Sequence, residues 1–144
     1  MDHLQRLLID QACRELVLRA ALHADANAPA PLAGLFTEDA VLARPNAEPL
    51  HGRTAIQKAY EQRPADRLTR HLVTNIVVDI ESATQARAIS YVLLWAGTGT
   101  DTPGALGRPA HRCQVGEFDD RFALTPDGWR IARREARFVL HNGS

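Results

Sequence analysis

Apolar positions follow two different periods along this chain. Between His3 and His23 there is no glycine or proline, and Leu4, Leu8, Ala12 and Leu16 recur at helical spacing. Leu7, Ile9, Cys13, Val17, Ala20 and Ala21 widen that apolar face, with Arg6, Asp10, Arg14 and Glu15 opposite. Residues 3–23 therefore read as a long amphipathic helix. "DANAPAP" (25–31) ends it, because two prolines and an asparagine break the pattern. A short helix over 30–37, a strand over 40–44, a turn-rich loop (45–52) and a third helix over 53–63 are expected next. Pro64 stops the third helix, since the residue before a proline avoids the helical conformation.

From residue 68 the pattern turns to that of strands, and four long ones are predicted: 68–80, 85–97, 108–124 and 129–140. "TPDG" (125–128) reads as a hairpin turn, with proline second and glycine last. In the last strand Arg130, Arg133, Arg134 and Arg137 also form a helical stripe; the preceding turn decides for a strand. Helices first and strands after predict an α+β fold, three helices packed on a mostly antiparallel sheet. "LTRHLVTNIVVDI" (68–80) poses a problem. Strict alternation puts Leu72, Ile76, Val78 and Ile80 on the face opposite His71, Val73, Asn75 and Val77. Apolar residues on both faces call for a bulge that switches faces, or for a second buried layer such as a partner in a homodimer or higher homo-oligomer.

Composition narrows the choices. A chain of 144 residues is expected to form one domain, 1–144. Its 17 basic residues balance 17 acidic ones, which gives no electrostatic case for nucleic acid or a membrane surface as partner. No apolar run approaches the ~20 residues that span a bilayer. The first residues include Asp2, Asp10 and Glu15 and do not follow a signal-peptide pattern, so a cytoplasmic setting is expected. Cys13 and Cys113 then read as structural thiols rather than a disulfide. The histidines form neither HxH nor HExxH spacing, and there is no G-x-S-x-G elbow or phosphate loop. No metal and no cofactor is expected.

The order of elements, with "LFTEDAVL" (35–42), "LHGRTAI" (50–56), "TRHLVTNIVVDI" (69–80), "VGEFDDRF" (115–122) and "DGWRIARRE" (127–135), resembles the SnoaL-like branch of the NTF2-like superfamily, near its dehydratases and dehydrochlorinases. The resemblance covers nearly the whole chain. It implies a strongly bent sheet wrapped around the helices, open at one end as a conical pocket for a small hydrophobic molecule. It also implies a site. Asp25, after the first helix, and His71, at the opening of the long strand, match the catalytic Asp and His of related enzymes. An imidazole can take a proton near neutral pH, and a carboxylate on its other nitrogen fixes the tautomer and stabilises the cation. Arg134, five residues after Trp129, matches a catalytic arginine that holds a leaving group. Leu22, Leu42, Val73, Val92, Leu94 and Gln114 are the implied substrate-binding wall.

Each of these residues also has a plainer reading. Asp25 can cap a helix, His71 can be a hydrogen-bonded strand-end histidine, and a cluster of arginines can be a solvated face. No tyrosine stands just before Asp25, where several relatives have one. Two functional classes follow. One is a cofactor-independent lyase or isomerase using the Asp–His pair. The other is a non-catalytic binding or assembly module, similar to the β subunits of ring-hydroxylating dioxygenases.

Overall fold

Asp2 sets the start of the first helix, α1 (His3–Asp25). Its carboxylate accepts from the Gln5 N–H at 2.8 Å, and the Gln5 side chain accepts from the Asp2 N–H at 2.9 Å, closing a capping box. The helix stops where Asn27 takes the left-handed conformation (φ 52°) and the Ala28 N–H reaches back to the His23 carbonyl. Ile9, Cys13, Leu16, Val17 and Ala20 form its buried stripe. Leu4 and Leu8 do not join that stripe, as periodicity had them do; they are 65% and 61% exposed. Core contact begins at Ile9, so the first two turns carry leucines that this chain alone leaves uncovered.

The remaining elements are α2 (Pro29–Ala33), β1 (Phe36–Ala43), β2 (Leu50–His51), α3 (Arg53–Glu61), β3 (Arg67–Ile80), β4 (Gln85–Thr98), β5 (Ala110–Thr125) and β6 (Gly128–His141). This computed structural model describes residues 1–142; Gly143 and Ser144, part of the expected domain, lie outside the described residues. The expected short helix over 30–37 ends early, at Ala33, because Gly34 caps it and Phe36 already enters the sheet. The Arg53 guanidinium fixes that entry by donating to the Phe36 carbonyl at 3.0 and 2.6 Å. Residues 129–140 form a strand, as the preceding turn predicted.

The strands form one curved mixed sheet in the order β2-β1-β6-β5-β4-β3, antiparallel throughout except for β1 beside β6. The helices pack on its concave face, giving the α+β architecture expected. Inward residues divide the concave face into two halves. Ala86 and Ala88 on β4, Phe122 on β5 and Ile131 on β6 close against α1 and make the core. Further along the same strands, Val92, Leu94, Phe118 and Ala136 face a cavity instead. Small β4 side chains at the closed half let α1 approach, and larger ones at the other half hold it away.

The problem of residues 68–80 is solved by a bulge. Pairing of β3 with β4 slips between Thr74 and Val77, and Asn75 sits at φ 54°. Before the slip the inward residues are Thr69, His71 and Val73; after it they are Ile76, Val78 and Ile80. One extra residue has moved the apolar set from one parity to the other. Asparagine is among the few residues that accept this left-handed backbone. The Arg14 guanidinium holds the bulge against α1 by donating to the Ile76 carbonyl at 2.9 Å.

Replacing Asn75 by valine is expected to cost ~1–3 kcal/mol, because a β-branched residue resists positive φ. Asn75→Gly should be near neutral. Urea denaturation of the two variants checks this; a valine variant with the wild-type midpoint would refute the bulge.

Candidate active site

Asp25 is the last residue of α1. A helix C-terminus carries partial negative charge, so a carboxylate there is disfavoured unless donors surround it. β3 supplies them. The Thr69 hydroxyl donates to Asp25 Oδ1 at 2.9 Å, the His71 backbone N–H donates to Oδ2 at 2.9 Å, and His71 Nδ1 lies 2.5 Å from Oδ1. Thr69 is an inward neighbour of His71 on β3, and the parity that places one places the other. Burial pushes the Asp25 carboxyl up. The hydrogen bonds and charge of His71, with the Thr69 hydroxyl, outweigh burial and hold it below its ordinary value of 3.8.

That balance fixes the tautomer of the ring. An ionised carboxylate can only accept, so the proton between the two groups belongs to His71 Nδ1. Nε2 of the neutral ring is left with a lone pair. His71 lines a cavity of about 360 Å3, a volume that suits a small organic molecule. The two side chains are 15% and 11% exposed, so the pair is largely shielded from water.

The residues expected to form the wall divide between cavity and other surroundings. Leu42, Val92, Leu94 and Gln114 line the cavity, together with His71 and Arg134. Leu22 does not; it is 65% exposed, because it lies two residues, about 200° of helical turn, from the buried Ala20. Ala20, Ala21 and Ala24 form the helical wall in its place. Val73 also stands outside the cavity lining and packs against the core, one step toward the closed half from His71. Arg134 is engaged elsewhere. Its Nε and Nη2 donate to the two carboxylate oxygens of Asp120 at 2.7 and 3.0 Å, and its guanidinium stacks on Phe118 at 3.9 Å. Asp120 is fully buried, so the pair closes the floor between cavity and core.

Sequence reading missed several cavity residues. Tyr60 puts a phenol in the lining from α3, stacked with the Arg63 guanidinium at 4.0 Å. Arg67 shares the inward parity of His71, four residues earlier, and that spacing was the available signal. Arg44, Arg112 and Phe138 carried no comparable pattern. The buried Nε of Arg44, Nε of Arg67 and Oε1 of Gln114 have no hydrogen-bond partner among the described residues. Among the same residues, no group of three or more His, Cys, Asp or Glu side chains is placed to hold a metal ion.

A SnoaL-like domain model matches residues 5–135. The chain belongs to the SnoaL-like family. Solved structures agree with that assignment. A provisionally assigned scytalone dehydratase from Novosphingobium aromaticivorans is 26% identical, with a TM-score of 0.82 over 97% of this chain and 90% of that one. An NTF2-like protein with a cystatin-like fold from the same species is 28% identical, with a TM-score of 0.73 over 96% and 86%. LinA is 20% identical, with a TM-score of 0.83 over 98% and 92%, a likeness of fold alone. None of the curated proteins compared matches this chain. No helix among the described residues is long and apolar enough to cross a membrane.

The low carboxyl value gives a signed expectation. A depressed folded-state value stabilises the protein above the ordinary carboxyl range, and this contribution is lost as pH falls through the folded value. The stability difference between wild type and Asp25→Asn should shrink steadily as pH falls below the ordinary carboxyl value of 3.8. Denaturant titrations of both proteins across that range measure it; parallel acid limbs would contradict the assignment.

Proposed function

We propose that this SnoaL-like protein, with residues 1–144 acting as one domain, binds a small apolar molecule in its cavity and works as a cofactor-independent lyase or isomerase. The observation that carries this reading is the 2.5 Å contact between His71 Nδ1 and Asp25 Oδ1 beside the cavity. A ring held in one tautomer, with its free nitrogen available to the cavity, is an arrangement for taking a proton.

His71 Nε2 takes a proton from a carbon of the bound molecule. In a lyase the C–H electron pair becomes a new double bond, and the leaving group departs from the adjacent carbon with its own pair. In an isomerase the same proton returns at another carbon. Asp25 accepts from Nδ1 throughout and stabilises the imidazolium. Arg134 lends positive charge to the leaving group or oxyanion, although Asp120 neutralises much of that charge. Tyr60 is the phenol within the cavity lining, standing on α3 instead of before Asp25. No step requires a cofactor. The Asp120 counter-ion is what favours the second reading, a small-molecule receptor or assembly module related to dioxygenase β subunits.

The outer sheet face supports a homodimer. Leu72, Leu93, Val115 and Leu140 lie in one row across β3, β4, β5 and β6, flanked by Tyr91 and Trp95, each 44% exposed. Free thiols at Cys13 and Cys113 suit a reducing, cytoplasmic setting.

A screen of halogenated, hydroxylated and polyketide-like apolar compounds identifies a substrate or a ligand. With a substrate in hand, His71→Ala should lose ~10²–10⁴-fold in rate. Asp25→Asn should lose as much or less, because Asp25 acts through the ring. A His71→Ala variant at the wild-type rate would end the mechanism, and binding without turnover would favour the receptor. Arg134→Ala strands the buried Asp120 and should destabilise by ~3–5 kcal/mol. The double variant Arg134→Ala/Asp120→Ala removes both charges and recovers part of that stability. If it turns over at the wild-type rate, Arg134 has no part in the reaction.

Light scattering at micromolar concentration should give twice the chain mass of 15.9 kDa; a monomer would remove the dimer.

A further inference from the structure

Arg44, Arg63, Arg67, Arg112, Arg134 and Arg137 all line the cavity, and the lining contains no Asp or Glu. Two of the six are paired: Arg134 with Asp120, and Arg137 with Glu117 at 2.9 Å. For Arg44, Arg63, Arg67 and Arg112 no carboxylate lies within ion-pair distance among the described residues. This is a concentration of unmatched positive charge in a chain whose formal net charge is zero.

The unmatched charges sit at one end. On β3 the inward row runs Arg67, Thr69, His71; on β5 it runs Arg112, Gln114, Gly116, Phe118. Both rows therefore reach their arginine on the same side of the His71 level, away from the packed core. Arg63 joins them from the end of α3, resting on Tyr60. The Arg67 Nε–H is buried and has no partner among the described residues. Burial lowers the Arg67 guanidinium below its ordinary value, and the positive charges of Arg63 and Arg112 lower it further. Like charges crowded around a partly desolvated guanidinium are costly unless an anion joins them.

We infer that the cavity binds an organic acid: an apolar or aromatic body ending in a carboxylate or phosphate that sits on Arg67, Arg63 and Arg112, with its far end at His71. Guanidinium forks fit such oxygens two at a time. Arg67 and His71 are four residues apart on one strand, so their α-carbons are separated by ~13 Å. The anion is thus placed at the arginine end of the molecule, with the reacting carbon toward His71. Leu94, level with His71 across β3 and β4, supplies apolar surface at the far end. This assignment deepens the proposed function, since it rests on the same cavity being the ligand site.

Calorimetric titration with matched probes tests it: 4-phenylbutyrate, 4-phenylbutyl phosphate, 4-phenylbutanamide and 4-phenylbutanol. One or both anions should bind about tenfold tighter than the neutral pair, ~1.4 kcal/mol. The stronger anion names the head group, and the preference should shrink as salt rises. Arg67→Met should reduce the preference to less than about twofold, and Arg67→Lys should keep part of it. Without ligand, Arg67→Met should melt no lower than wild type, because it removes an unpaired charge. That melting result separates a ligand-holding arginine from a structural one. Neutral probes binding as tightly as the anions would overturn the inference, as would an Arg67→Met variant that keeps the full preference. The preference should survive in His71→Ala. A failed proton-transfer mechanism therefore leaves this result standing, and an absent anion preference leaves the Asp25–His71 mechanism standing.

Discussion

One carboxylate joins the two halves of this protein. Asp25 ends the long first helix, and β3 holds it with a hydroxyl, a backbone N–H and an imidazole. The helix dipole works against an anion at that end, so the donors from β3 are what keep it charged. The same contacts tie the end of α1 to β3 beside the cavity. Ring orientation and tautomer therefore depend on one set of hydrogen bonds. In an apolar surrounding such a set is strong when complete and costly when broken.

A second buried charge pair divides the interior. Asp120 and Arg134 stand between the packed core and the cavity, with Phe118 under the guanidinium. Below them, Cys13 is fully enclosed, and burial, with the nearby Asp10 and Asp120 charges, pushes its thiol up to about 12. It is therefore inert, a core side chain in chemistry as well as in place. Above them, arginines outnumber carboxylates. Charge in this molecule is balanced overall and unbalanced locally, and the imbalance lies where a ligand can reach it.

How far the sequence could be read follows from what leaves a periodic trace. The helix over 3–23 and the four long strands were legible because burial repeats along them. The Asp25–His71 pair was legible only through two matched family positions 46 residues apart. The bulge was not, because a single asparagine in a strand reads as an ordinary polar residue until its φ is known. The need for some switch was nonetheless visible in the apolar residues of both parities. Leu22 went wrong because a wide apolar helix face does not say which edge is inside. Leu4 and Leu8 went wrong for the opposite reason: the stripe was correct in period, but the core did not extend to it. The cavity arginines come from the residue after β1, from β3, β5 and β6, and from the segment after α3, so nothing in a linear pattern collects them.

The one-residue slip at Asn75 also separates two kinds of variation. Upstream, the odd positions of β3 face inward, with Arg67 and His71 in the cavity lining; downstream, the even positions face the core. Residues 67, 69 and 71 carry the polar side chains of the candidate site, while 76, 78 and 80 keep the sheet and helix together. The strand behaves as two modules spliced at a phase shift, one held by hydrogen bonds to Asp25 and one held by packing. A single-residue deletion at the splice would exchange their roles, turning the arginine and histidine outward or the isoleucines into solvent.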